Sequence, residues 1–281
     1  MNYKCQCWRG LPGSRRDFLR AGGGGMAALA AGGAWAQVEV GDASAARNLV
    51  PVQELEEAGA QQYAQLLAQA KAKKALAGPD NPQLKRLRAI AARIIPFAPR
   101  WNARAAQWKW EVNLIGSKQV NAFCMPGGKI AFFTGILDQL KLTDDEVAMV
   151  MGHEVAHALR EHARAQLAKR TGTGLALSIG AQLLGLGQLG DLAARGATQL
   201  LSLQFSRTDE SDADLVGLEL AARAGYDPQA SMTLWQKMAK VSGDSGSLNF
   251  LSTHPSGPDR IAKLQANVPR VQGLYEAARR K

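Results

Sequence analysis

The run His153-Glu154-Val155-Ala156-His157 constrains this chain more than any other stretch. On a helix, residues four apart stand on one face about a turn apart. His153 and His157 can therefore both present an imidazole to one metal ion, with Glu154 beside them, aimed at a water on that ion. Two neutral imidazoles, a carboxylate base and an open coordination position are the parts of a zinc hydrolase site. With only 4 histidines in the chain, chance rarely produces such a run; the plainer alternative is a helix carrying two satisfied histidines. Thr143 followed by Glu146 reads as a capping box, and Asp144 and Asp145 suit a helix N-terminus. These signals predict a helix from Asp144 to about Lys169, with Val147, Val150, Met151 and Val155 buried. Gly152 would permit close packing there.

A third ligand is expected downstream. Glu210, Asp214 and Gly217 fall at i, i+4 and i+7, one face of a helix. Glu210 can complete a two-histidine, one-carboxylate site. Asp214 can accept the free N–H of a ligand histidine and fix its tautomer. Gly217 would let the two helices approach closely. A solvated acidic face is the competing reading. His162 is not the third ligand of the longer histidine motif, because the positions needing Gly and His hold Arg160 and Ala163. It reads as an exposed histidine or one behind the ligands. Arg207 can stabilise an oxyanion or pair with Asp209 or another carboxylate. His254, in Thr253-His254-Pro255, sits in a loop before a helix. It can bond an oxyanion, bind zinc at rest as a gate, or stand at the surface.

Between the leader and the motif, Glu54 to Ala77 is rich in helix formers, and Asn81-Pro82 starts a second helix that Pro96 stops. Trp108, Trp110, Val112 and Leu114 alternate with polar residues, which predicts a half-buried strand. Residues 121–125 and 129–134 read as two more strands around Pro126-Gly127-Gly128, giving a small antiparallel sheet. Its edge, at Asn121, Ala122 and Phe123, can pair with an extended substrate backbone, or the meander is purely structural. Residues 172–190 are rich in Gly and Leu and suit a lid, a flap, a membrane-surface contact or a helical hairpin. Asp227-Pro228 opens a helix, residues 243–246 form a loop, and a further helix follows Pro258.

Ser14-Arg15-Arg16-Asp17-Phe18-Leu19-Arg20, a Gly/Ala-rich run and Ala34-Trp35-Ala36 have the pattern of a twin-arginine export signal and its cleavage site. The expected division is a signal over 1–36, a helical segment over 37–98 packed on the catalytic unit, and a metallopeptidase domain over 99–281. Cys5 and Cys7 leave with the signal, so Cys124 has no partner for a disulfide. The net charge of +10 comes without a dense Lys/Arg run interleaved with aromatics, so no nucleic-acid partner is expected.

Asn121-Ala122-Phe123 with Pro126-Gly127-Gly128, then His153-Glu154-Val155-Ala156-His157, then Arg207 with Glu210, Ala213, Asp214 and Gly217, then Thr253-His254-Pro255 together resemble peptidase family M forty-eight over about residues 100–267. The resemblance implies an α+β, mostly helical zincin fold with one Zn2+ per chain. It implies ligands His153, His157 and Glu210, with Glu154 as base and Asn121 to Phe123 along the cleft. A gating role for His254 belongs to its soluble, single-domain periplasmic branch. The implied activity is endopeptidase cleavage of unfolded or misassembled envelope proteins in the periplasm, with possible contact to a membrane surface or outer-membrane assembly machinery. The alternative is a gated or weakly proteolytic chaperone or assembly factor for outer-membrane proteins.

Overall fold

The computed structural model describes residues 38–171, 200–245, 249–255, 257 and 259–280. The leader and the Gly/Leu-rich stretch 172–190 lie outside the described residues.

Two glycines shape the sheet. Gly127 and Gly128 both have φ above +80°, a region L side chains rarely adopt. They close a tight hairpin between β2 (Ala122–Met125) and β3 (Lys129–Phe133). β1 (Glu111–Ile115) pairs with β3 in parallel, so the order is β1-β3-β2. The sheet is therefore mixed, not antiparallel as its pattern suggested. The cause is the β1–β2 link, which strides over the end of β3: Gly135 N–H donates to Ser117 O at 2.8 Å and Phe133 N–H to Asn121 O at 3.1 Å. On the outer side of β1, Ala77 N–H donates to Leu114 O at 3.0 Å. β2 has no strand beyond it among the described residues.

β1 is not half-buried, because both sheet faces are covered. α1 (Val52–Ala72) lies on one face, where Tyr63 packs with Ile115, Phe123, Met125, Ala131 and Phe133. Tyr63 Oη donates to Ile130 O at 2.5 Å and accepts from Asn113 Nδ2 at 3.1 Å, which accounts for a buried asparagine in β1. α2 (Pro82–Ile94) covers the other face with Leu84, Leu87 and Ile90, against Val112, Leu114, Ile130 and Phe132. The Asn81 side chain caps α2 by accepting from Gln83 and Leu84 N–H, as expected. Trp108 and Trp110 precede the strand: their indole N–H groups donate to Glu56 and Ala105 O.

α3 (Thr134–Leu140) leads into α4 (Asp144–Leu159), whose capping box between Thr143 and Glu146 is present on both sides. The predicted single helix to Lys169 is broken. Arg160 ends α4, Glu161 takes the left-handed conformation at φ 57°, and α5 (His162–Thr171) starts anew. α6 (Arg207–Arg223) is capped by Ser206. α7 runs Ala230–Ser245, so helix continues where a loop from Gly243 was expected. Short α8 (Asn249–Thr253) and long α9 (Arg260–Arg279) complete the described chain. No helix among the described residues is long and apolar enough to cross a membrane.

α4 is buried from Glu146 to Leu159 without interruption. Sheet, α2, α6, α7 and α9 surround it. It crosses α6 at a glycine pair. A Cβ on Gly152 would meet Gly217 O at 2.7 Å, and one on Gly217 would meet His153 N at 2.6 Å. This crossing sets the histidines of α4 against the carboxylates of α6.

Candidate metal centre

Four side chains converge at the crossing. One donor atom each from His153, His157, Glu210 and His254 lie within 4.8 Å of one another, and all four residues are buried. His153 Nε2 stands 3.1 Å from His157 Nε2 and 3.3 Å from His254 Nδ1. Glu210 Oε1 is 3.0 Å from His254 Nδ1 and 3.3 Å from His157 Nε2. Zinc–nitrogen bonds of about 2.0–2.1 Å in a tetrahedron put ligand atoms about 3.3–3.4 Å apart. The observed edges match that spacing, and the donor set of imidazoles with one carboxylate suits zinc.

The surroundings fit a cation too. Glu154 and Glu210 are 2% and 3% exposed, and Glu154 Oε1 and Glu210 Oε2 find no hydrogen-bond partner among the described residues. Asp214 is 7% exposed. Three buried carboxylates face one guanidinium, that of Arg260. Burial penalises the charge on His153, but hydrogen bonds to Asp214 and Glu210 overcome it and draw its pKa up to about 9. Burial opposes the charge on Glu210 as well; hydrogen bonds from His153, His157 and His254 hold its carboxyl far below the usual range. Burial dominates at His157, pushing it well below the ordinary imidazole value, and at Glu154, pushing its carboxyl up.

Asp214 Oδ1 lies 3.0 Å from His153 Nδ1, on the ring's far side from the cluster. Such a contact fixes which nitrogen carries the proton. His254 is 3% exposed, and its ring stacks on Phe250 at 4.4 Å and 18°. Its sequence left a surface position open; the α8 turn, tied to the β1–β2 link through Phe250 N–H and Val120 O, carries it inward. Its other nitrogen, Nε2, is 3.6 Å from Glu154 Oε1.

Asn121, Ala122 and Phe123 line a cleft of about 490 Å³ together with Glu154, His157 and His254. Cys124 lies there and in an adjoining apolar cavity; burial first, then Glu154, pushes its thiol pKa up, which leaves it a poor nucleophile. Arg207 is exposed and is not drawn into the four-residue cluster; it borders a cavity on the outer side of Glu210. Arg260 comes in where Arg207 does not. Its Nη1 is 2.9 Å from Glu210 Oε2 and its Nη2 donates to Asp214 Oδ1 at 2.7 Å. Its Nε stands 2.6 Å from Asp214 Oδ2, although the Nε and Nη1 contacts miss hydrogen-bond angles and are ion pairs only. The guanidinium lies over Trp235 at 3.4 Å. Sequence reading missed Arg260, and its only signal was its place six residues after His254. His162, read as exposed or behind the ligands, is 3% exposed and touches His157.

The family model described as Peptidase family M48 matches residues 82–268, well over half of the chain. Among curated proteins, the mitochondrial metalloendopeptidase OMA1 of Arabidopsis thaliana is 42% identical over 160 residues, 57% of this chain and 32% of the relative. The metalloprotease LoiP of Escherichia coli is 30% identical over 155 residues, covering 53% and 59% of the two chains. The β-barrel assembly-enhancing protease of Yersinia pestis is 31% identical over 181 residues, covering 59% and 36%. The chain spans 32% to 50% of the length of the plant and the two yeast OMA1 relatives. Two histidines and a glutamate in the order of the sequence motif, gathered into one buried donor cluster, agree with the family match, and the chain belongs to peptidase family M48.

Proposed function

We propose that this protein is a zinc-dependent endopeptidase of the cell envelope that cleaves unfolded or misassembled proteins. The observation that carries the reading is the four-donor cluster with the Glu154 carboxylate beside it, at one end of a cleft walled by strand β2. His153, His157 and Glu210 hold the ion, Asp214 orients His153, and Arg260 pairs with Glu210 and Asp214. Zinc, when bound, polarises the scissile carbonyl and acidifies the attacking water. Glu154, buried beside the donor cluster, would serve as the base for that water. It would then pass the water's proton on to the leaving amine. The outer strand β2, through Asn121, Ala122 and Phe123, offers main-chain groups to an extended segment, which favours unfolded substrates. Arg207, at the outer cavity, is left for the substrate rather than the ion.

The periplasm is the proposed location, on the strength of the twin-arginine pattern from Ser14 to Arg20 and the two bacterial relatives. The division into a signal over 1–36, a helical segment over 37–98 and a peptidase domain over 99–281 belongs to the same proposal. A second reading rests on His254. With Nδ1 in the donor cluster and Nε2 facing Glu154, this side chain would compete with a substrate carbonyl for the ion and shield the base. A protein resting in that state is a gated peptidase, or an assembly factor that seldom cuts.

The test loads the full chain with zinc and measures cleavage of unfolded casein beside Glu154→Gln and His254→Ala at matched zinc content. Cleavage by the wild type and none by Glu154→Gln supports the endopeptidase. Cleavage only after His254→Ala supports gating. No cleavage by any of the three, with zinc bound, refutes both.

A further inference from the structure

His157 Nε2 points into the donor cluster, and the opposite ring nitrogen, Nδ1, lies 3.0 Å from Nδ1 of His162. His162 Nε2 in turn lies 3.1 Å from Asp212 Oδ2, and that oxygen accepts from Arg160 Nε at 2.7 Å. We infer that His162 and Asp212 form a positioning relay that holds His157 in its ligand tautomer. The inference rests on the metal reading above and adds residues that reading does not use.

Proton bookkeeping allows one consistent arrangement. A neutral His157 that offers the Nε2 lone pair carries its proton on Nδ1. That N–H needs an acceptor, since the site is buried and an unmatched donor is costly. The atom in reach is His162 Nδ1, which must then be unprotonated. His162 carries its own proton on Nε2 and donates it to Asp212. Every nitrogen of both rings is thereby used. The result mirrors the other ligand: His153 is backed directly by Asp214, and His157 through His162 by Asp212, two residues earlier on α6. Phe205 lies against the His157 ring at 4.0 Å and 28°, so the ring cannot easily swing away from this bond.

The break between α4 and α5 makes the contact possible. Along an unbroken helix, residues five apart point about 140° away from each other and lie about 7.5 Å apart along the axis. The left-handed Glu161 resets the direction and returns His162 beneath His157. Residues with a Cβ rarely adopt that conformation. Glu161 is secured there by Arg47 at 3.0 Å and Arg164 at 3.1 Å. A chain that needed only a longer helix would have no use for this turn.

The test compares His162→Asn with His162→Gln in the full chain. Asparagine places its carbonyl oxygen near the position of Nδ1 and can still accept from His157. Glutamine places its amide near Nε2, keeping reach to Asp212 but offering nothing to His157. Zinc affinity is measured by competition with a chromogenic chelator, and cobalt-loaded protein supplies the visible absorption spectrum of the ion's ligand field. Outer partners of ligand histidines are worth about 10–100-fold in metal affinity. His162→Gln is expected to lose affinity by that factor and to shift the cobalt bands, while His162→Asn stays near the wild type in both. Asp212→Asn is expected to show a smaller loss. Equal zinc affinity in wild type, His162→Gln and His162→Asn, or a greater loss in His162→Asn than in His162→Gln, overturns the relay. A wild type that binds no zinc, or a His157→Ala variant that binds it unchanged, overturns the metal reading instead.

Discussion

Replacing Gly152 by alanine sets two known effects against each other. In the middle of a helix, alanine is favoured over glycine by about 1 kcal/mol. The new methyl would stand 2.7 Å from Gly217 O and 3.2 Å from Gly217 C and Cα. Comfortable contact begins near 3.5 Å, so the helices must part by roughly 0.8 Å. The obstructing atoms are backbone and cannot rotate aside. Overpacking of this kind costs about 1–3 kcal/mol, and the rigid partner puts it at the upper end. A net loss of about 2 kcal/mol lowers Tm by about 4–8 °C in a domain of this size. The separation also exceeds the ~0.5 Å tolerance of a preorganised site. It draws Glu210 away from His153 and His157, so zinc affinity falls as well. Calorimetry of chelated protein reads the first effect, and chelator competition the second. Gly273→Ala is the control: it lies in helix α9 with nothing within 4 Å of the added methyl, so propensity alone acts and Tm rises slightly. If Gly152→Ala raises Tm as the control does, with zinc affinity intact, the account of the crossing is wrong.

Two predictions concern pH. With its pKa drawn up to about 9, His153 holds a proton that zinc must displace at neutral pH. Apparent zinc affinity should fall about tenfold per unit as pH drops below about 9, and an affinity flat from pH 9 to pH 7 refutes this. In chelated protein the sign reverses: His153 contributes stability fully present below its unfolded value near ~6.5 and lost as pH rises through about 9. Glu146 behaves oppositely. Burial alone would raise its pKa, but hydrogen bonds from Lys237, Thr143 N–H and Thr233 outweigh burial and lower it. Its contribution is present above the unfolded value near ~4.3 and lost as pH falls through the lower folded value. Lys237→Met should therefore cost about 1–2 kcal/mol at pH 7, discounted because Lys237 is half-exposed. That difference should vanish in acid, as urea titrations at the two pH values can check.

Local signals were legible wherever one segment decided the outcome. The Thr143–Glu146 box, the Asn81 cap and the glycine hairpin each act within a few residues, and each formed. The spacing of Glu210, Asp214 and Gly217 was legible for the same reason, since all three share one helix face. The sheet misled because pairing of β1 with β3 depends on how a six-residue link crosses a strand end. Alternation at Trp108 to Leu114 misled because α1, some fifty residues earlier, covers the face that looked polar. His254 and Arg260 reach His153 across sequence separations of 101 and 107 residues. No local pattern records such contacts. His162 lay between these cases: its position in sequence was plain, but its direction depended on one left-handed residue.

Without a metal ion, α4 would be a costly helix to bury. Between Glu146 and Leu159 every residue is buried, and that run includes His153, Glu154 and His157. A helix selected only for packing would carry apolar side chains there, since buried ionisable groups cost several kcal/mol each unless paired. Asp214 and Glu210 on α6 add two more carboxylates to the same interior, against the single guanidinium of Arg260. Protons can offset part of this charge, as the raised pKa of both His153 and Glu154 indicates. A divalent cation offsets it fully, and it also gives the facing ring nitrogens of His153 and His157, 3.1 Å apart, a common partner. Local rules of helix and core are broken at this crossing in a way that one ion repairs, which is the expected mark of a functional site rather than a structural one.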